Sequence, residues 1–235
     1  MQRLLHVTPY SCRNAEVTVL TVASSKGGPG KTTLCQILAG SLARDMRVTV
    51  LDADPTQAVS RWVSNAYEGP ALDVHYEADE TRLAHLIAAK AEVMDLVLID
   101  TAGFGNRAAS VAMTSADAVL VPSLAGEADV TEAEKTVRLV EGLARAARRQ
   151  IPVRVVLNRV KKTGLARHAA AELEAAGVLR LSATLGDLVA YGEMTYSGKV
   201  PASGPAAGEI DVLLKELRDL GWLSNHTVLR TDVTP

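Results

Sequence analysis

Residues 17–24 (VTVLTVAS) form an apolar, β-branched run. It gives way to a glycine-rich turn and then to a helical pattern at 32–44, where Leu34, Ile37, Leu38 and Leu42 fall on one face. The same alternation continues along the chain. Strands are predicted at 47–51, 72–76, 96–99, 118–121, 153–157 and 178–184, and helices at 56–65, 80–91, 131–149, 165–176, 188–196 and 206–220. Gly177 stands where a helix-ending C′ glycine is expected. This pattern restricts the chain to an α/β fold: a doubly wound, mainly parallel sheet with helices on both faces. Aromatic residues make up only 3% of the chain, so the core must come from Val, Leu, Ile and Ala, which suits strands buried on both sides. Ligands in such sheets sit beyond the carboxyl ends of the strands, near the topological switch point.

Several classes are excluded. A hydrophobic content of 48% argues against disorder. Two cysteines, Cys12 and Cys35, with no CxxC spacing, cannot make a disulfide scaffold, a zinc ribbon or a four-cysteine cluster within one chain. No apolar run approaches the ~18–20 residues that span a bilayer, and 1–16 lack the apolar stretch of a signal peptide. A cytoplasmic, thiol-bearing protein is expected. The ends, 1–16 and 223–235, lack periodicity and read as an extension and a tail around one domain, 17–222.

The turn after the first strand reads Ser25-Lys26-Gly27-Gly28-Pro29-Gly30-Lys31-Thr32-Thr33. Its place between strand and helix is the context of a P-loop, with Ser25 where the first glycine of the common motif would stand. Gly27, Gly28, Pro29 and Gly30 let backbone N–H groups curl around phosphate oxygens, and the helix N-terminus adds partial positive charge. Lys31 is expected on the β- and γ-phosphates, Thr32 on Mg²⁺, and Thr33 beside them. The plainer reading is a glycine-rich turn that merely closes a strand–helix unit. Lys26 has no partner in an ordinary P-loop. It is either a solvated lysine or one that reaches the phosphates of a nucleotide on a facing subunit. Asp100 ends an aliphatic strand and suits a carboxylate that holds Mg²⁺, usually through water. Asp52 and Asp54, in Asp52-Ala53-Asp54-Pro55, can assist the metal and order an attacking water. Turn chemistry and helix capping alone also favour these residues.

Together these residues resemble the ParA/MinD family of deviant-Walker ATPases, and most of all its small plasmid-partition ParA (ParF-like) members. Lys26 matches the signature lysine, Asp52–Pro55 the DxDP switch, and Ile99-Asp100-Thr101-Ala102-Gly103 the Walker B segment and second switch. Val156-Leu157-Asn158-Arg159 is similar to the segment whose asparagine contacts adenine. Pro122-Ser123 with Asp129, Tyr191-Gly192-Glu193, Gly198-Lys199 and Gly208-Glu209-Ile210 resemble the small partition group. The resemblance implies a P-loop ATPase that binds ATP and Mg²⁺ and dimerises with ATP. It implies Lys26, Lys31 and Asp54 as catalytic residues, Thr32, Asp52 and Asp100 on the metal, and Asn158 on the base. It further implies non-specific binding to double-stranded DNA and a centromere-binding, ParB-like adaptor that stimulates hydrolysis; no membrane partner is expected, because 209–220 mixes acids and bases around an ordinary apolar face and no basic apolar tail follows.

The net charge of −2 hides an asymmetry, for residues 138–180 carry ten basic and three acidic side chains. Arg159, Lys161, Lys162 and Arg167 are the candidate DNA contacts, expected on one continuous outward surface with sequence-blind, salt-sensitive binding. Arg145, Arg148 and Arg149 equally suit the C-terminus of the preceding helix. Two other functions fit the same motifs: an ATPase switch serving conjugation or positioning a microcompartment or chemoreceptor array, and a metabolic P-loop ligase or kinase.

Overall fold

The computed structural model describes residues 19–103, 105–161 and 163–224. Seven strands, β1 (Val19–Val22), β2 (Val48–Ala53), β3 (Asp73–Tyr76), β4 (Leu96–Thr101), β5 (Ala118–Ser123), β6 (Val153–Val160) and β7 (Arg180–Gly186), form one sheet in the order β3-β2-β4-β1-β5-β6-β7. Every neighbouring pair runs parallel. The expected sheet is therefore parallel throughout.

The strand sequences explain the two layers. Successive side chains point to opposite faces. Leu20, Val22, Val48, Val50, Leu96, Leu98 and Leu120 go to one core, under α1 (Lys31–Leu42), α2 (Ala58–Asn65), α7 (Val189–Ser197) and α8 (Gly204–Asp219). Their neighbours Val19, Leu51, Val97, Ile99, Val119 and Val121 go to the other, under α3 (Glu80–Ala91), α4 (Arg107–Ser115), α5 (Glu127–Ala146) and α6 (Leu165–Ala175). Strands buried on both sides must be aliphatic throughout, which is how they read. Trp222 and Leu223 are buried in the first core, so the packed body continues one residue past 222. Residues 1–18 and 225–235 lie outside the described residues.

Helix α4 carries no predicted counterpart. Its buried face is Ala108, Ala109, Ala112 and Met113, too small to register as a hydrophobic stripe. Asn106 starts it, its side chain accepting the Ala108 N–H at 2.8 Å.

At the sheet's β7 edge, α8 takes the place of a further strand. Glu216 accepts the N–H groups of Ser182 at 2.8 Å and Ala183 at 2.7 Å, and Glu209 accepts that of Gly186 at 2.8 Å. The two glutamates stand two helical turns apart on one face.

Gly177 does close α6, at φ 69°, with Val178 N–H on the Leu173 carbonyl. Helix α5 ends with the same pair of bonds: Arg149 N–H meets the Ala144 carbonyl and Arg148 N–H meets that of Arg145. Here the left-handed position, φ 53°, is held by Arg148. Arg148→Gly is expected to stabilise the protein by about 0.5–1 kcal/mol, the Cβ penalty less the glycine's extra chain entropy. Denaturant melts that show a loss would refute it.

Candidate functional site

Strand β1 lies between β4 and β5, so the chain reverses its direction of sheet growth at the carboxyl end of β1. The loop 25–30 and the N-terminus of α1 occupy that switch point. Gly28 and Gly30 both sit at φ 95°, which L side chains rarely adopt, and Gly30 is the N-cap of α1. A Cβ on Gly30 would also overlap the Asn158 amide. The loop's glycines are thus required by its curl and by its packing.

Lys31 is buried, and its Nζ donates to the Lys26 carbonyl at 3.2 Å, bending back over the loop. Thr32 Oγ1 donates to Asp100 Oδ2 at 2.8 Å. Asp100 is fully buried at the end of β4, and its Oδ1 has no hydrogen-bond partner. Burial pushes its carboxyl up to about 7, with the neighbouring Asp52 adding to the effect and the Thr32 hydroxyl and Lys31 opposing it. A buried, half-orphaned carboxylate beside a threonine hydroxyl is a hard-oxygen set that suits a divalent cation. Among the described residues no three His, Cys, Asp or Glu side chains converge on a ready-made metal cage.

Asp52 lies opposite Asp100 on the adjacent strand, also fully buried. Both its oxygens are engaged by backbone, Oδ1 by the Asp54 N–H at 3.2 Å and Oδ2 by the Ser60 N–H at 2.9 Å. It therefore holds the 52–60 segment in place. Asp54 is half-buried and accepts the Thr56 N–H at 2.8 Å, so the turn chemistry is real, and the following Gln57 is strained at φ 52°.

Lys26 is half-exposed and its Nζ pairs with Asp129 Oδ1 of α5 at 2.8 Å, a contact that raises the lysine's pKa. Ser25 joins the same helix: its N–H meets Thr136 Oγ1 at 3.0 Å and its hydroxyl meets Glu132 Oε2 at 2.8 Å. Glu132 and Thr136 thus hold the start of the loop, a role not expected from the sequence. They are a helix turn apart on α5, and no motif marks them.

Beside the loop lies a cleft of about 620 Å³, walled by Gly28, Gly30, Thr33, Asn158, Arg159, the turn 186–188 and Tyr191. Asn158 donates from Nδ2 to the Pro29 carbonyl at 2.7 Å and accepts the Arg159 N–H at 2.9 Å, which ties β6 to the loop. Arg159 is strained at φ 51° and its guanidinium pairs with Asp187 at 3.4 Å.

That pairing corrects the expected cationic surface. Arg159 belongs to the cleft wall, Lys161 shares Asp187 at 3.8 Å, and Arg149 pairs with Asp117 at 3.1 Å. Arg167 is exposed with no ion pair among the described residues. Lys162 lies outside them. The segment's positive charge is interrupted by acids brought in from elsewhere in the chain. Among the described residues no helix is long and apolar enough to cross a membrane.

The VirC1 protein family model matches residues 17–198. The VirC1 protein and protein ParA, both of Rhizobium radiobacter, are each 34% identical, over 148 and 145 residues. Each match covers 60% of this chain, and the chain spans only 64% of the length of either relative. The maintenance of carboxysome distribution protein A of Halothiobacillus neapolitanus is 27% identical over 206 residues, covering 84% of this chain and 95% of the relative. A variant of Cyanothece McdA, solved as its ATP complex, has the same fold, with a TM-score of 0.75 at 16% identity over 89% of this chain and 98% of that one. The chain belongs to the VirC1 family, within the ParA/MinD group of P-loop ATPases.

Proposed function

We propose that this protein is an ATP-Mg²⁺-driven switch that dimerises with nucleotide and segregates or positions a cargo, with double-stranded DNA as the first candidate and a ParB-like adaptor as the stimulating partner. The carrying observation is the convergence of Lys26, Lys31, Thr32 and Asp100 around one glycine loop at the switch point. Gly27, Gly28, Pro29, Gly30 and Thr33 supply the phosphate cradle, and the adjoining cleft has room for a nucleoside. Thr32 and Asp100 would hold Mg²⁺, which supplies neutralisation of phosphate charge. Lys31 stabilises charge on the transferred phosphoryl group, and Asp54, at the tip of its turn, orients water. Lys26 reaches a facing subunit only after leaving Asp129.

Duplex DNA anisotropy with ATP, with ADP and without nucleotide, at two salt concentrations, tests the whole reading. Binding with ATP alone, weakened by salt, is expected. Equal binding in all three states would refute the switch. In light scattering, Lys26→Ala is expected to abolish ATP-driven dimerisation. Its melting temperature should stay at the wild-type value, because the Lys26–Asp129 pair is exposed and worth little to the fold. A dimer that persists removes the role given to Lys26.

A second reading keeps the switch and changes the cargo. It is favoured by the ion pairs that tie Arg159 and Lys161 to Asp187 of the cleft wall, and by the long match to a carboxysome-distribution protein. ATP-dependent dimerisation without DNA binding in any state would select it.

A further inference from the structure

The wall of the cleft beside the glycine loop includes Gly186 and Tyr191, and both are hydrogen-bonded to one carboxylate from outside it. Glu209 Oε2, on α8, accepts the Gly186 N–H at 2.8 Å and the Tyr191 hydroxyl at 2.8 Å. Tyr191 is buried, and burial and the neighbouring carboxylate both push its ionisation upward, so its hydroxyl stays a donor. The approach is close: a Cβ on Gly186 would meet Glu209 Oε1 at 2.8 Å and Leu188 at 3.2 Å.

The 186–188 turn is thus hung from its neighbours at three points. Asp187 N–H meets the Val160 carbonyl at 3.0 Å, and Tyr191 N–H meets the Leu188 carbonyl at 3.2 Å. Both are backbone bonds that any sequence would make. The third support is the Glu209 side chain, which comes from the last helix of the fold. Among the described residues its hydrogen bonds go to Gly186 and Tyr191, and none reaches the loop 25–33.

We propose that Glu209 is a positioning residue for the base of the bound nucleotide. It sets the 186–188 turn and Tyr191 in place before the ligand arrives, so that α8 governs base affinity while the loop 25–33 governs phosphate affinity. The proposal rests on reading this cleft as a nucleotide site. A carboxylate that accepts two neutral donors makes stronger bonds than a neutral acceptor, and its removal leaves the Gly186 N–H unpaired and the Tyr191 hydroxyl with only the longer bond to the Ala206 carbonyl, at 3.3 Å. The turn then relaxes, and binding must reorder it.

Calorimetric titration with Mg-ATP and with inorganic tripolyphosphate, which has no base, separates the two affinities. Glu209→Ala is expected to weaken ATP tenfold or more and to leave tripolyphosphate within twofold of wild type. Glu209→Gln keeps the shape and one acceptor and is expected to fall between. Unchanged ATP affinity in Glu209→Ala, or an equal loss of both ligands, overturns the proposal. Should Glu209→Ala fail to fold, Glu209→Gln and Tyr191→Phe carry the test: each is expected to weaken ATP about threefold with tripolyphosphate unchanged, and no change in either overturns it. Wild-type protein that binds both ligands equally well also overturns it, with the phosphate site intact. Wild-type protein that binds neither refutes the nucleotide site itself.

Discussion

An Asp100→Asn variant is expected to melt well above the wild type at pH 8 without nucleotide, with the difference shrinking steadily as pH falls and vanishing only near about pH 4. The cause is the carboxyl's displacement from 3.8 to about 7 on folding. The folded state holds its proton more tightly than the unfolded state does, so stability falls as pH rises through that window. The full penalty is present above pH 7 and amounts to about 4 kcal/mol, since each pK unit is worth about 1.4 kcal/mol. Asparagine removes the charge, and its amide oxygen still accepts the Thr32 hydroxyl. An amide without every partner takes back part of the gain, so about 2–4 kcal/mol is expected at pH 8. For a chain of this size that is roughly 5–15 °C. The same change removes the carboxylate that faces the metal, and Mg²⁺ affinity should fall roughly 10- to 100-fold. Paired thermal melts from pH 5 to 8 decide it. A difference between variant and wild type that does not grow with pH would sink the account.

Gly198→Ala has the second large expectation. Gly198 caps α7 at φ 67°, and its carbonyl accepts the Glu68 N–H at 3.1 Å. A Cβ there would overlap the Ala66 carbonyl group and press on the Tyr67 backbone. Main chain against main chain has no rotamer to yield. A left-handed alanine and the forced shift together should cost about 3 kcal/mol or more. The damage should also reach the site, because Ala66 caps α2, whose Trp62 Nε1–H is bonded to the Met194 carbonyl of α7 at 3.0 Å. Gly208→Ala is the control. It lies in the exposed interior of α8 with no atom within 4 Å of a new Cβ, and should gain up to about 1 kcal/mol. Equal melting temperatures for Gly198→Ala and wild type would show that the two segments slide apart freely.

The fold was legible because a parallel sheet buried on both faces demands unbroken aliphatic strands, and β4 (LVLIDT) or β5 (AVLVPS) can be little else. The glycine loop was legible because left-handed φ angles at Gly28 and Gly30 leave few alternatives. Helix α4 was not, since alanines bury little area and leave no stripe. The contacts that place Lys26 and Ser25 on α5 join residues more than 100 positions apart, and no local pattern encodes them. The ion pairs of the basic segment were hidden for the same reason. Their acids come from Asp117 and Asp187, outside the run that was counted.

The glutamates on α8 have a consequence for assembly. An isolated edge strand offers its amides to any extended peptide that comes alongside. On β7 the amides of Ser182, Ala183 and Gly186 are already satisfied by carboxylates of the same chain. An incoming strand at that stretch would have to displace two charged acceptors before gaining a single ladder bond. Recognition by strand addition is closed there, and a partner that arrives on this side must read side chains.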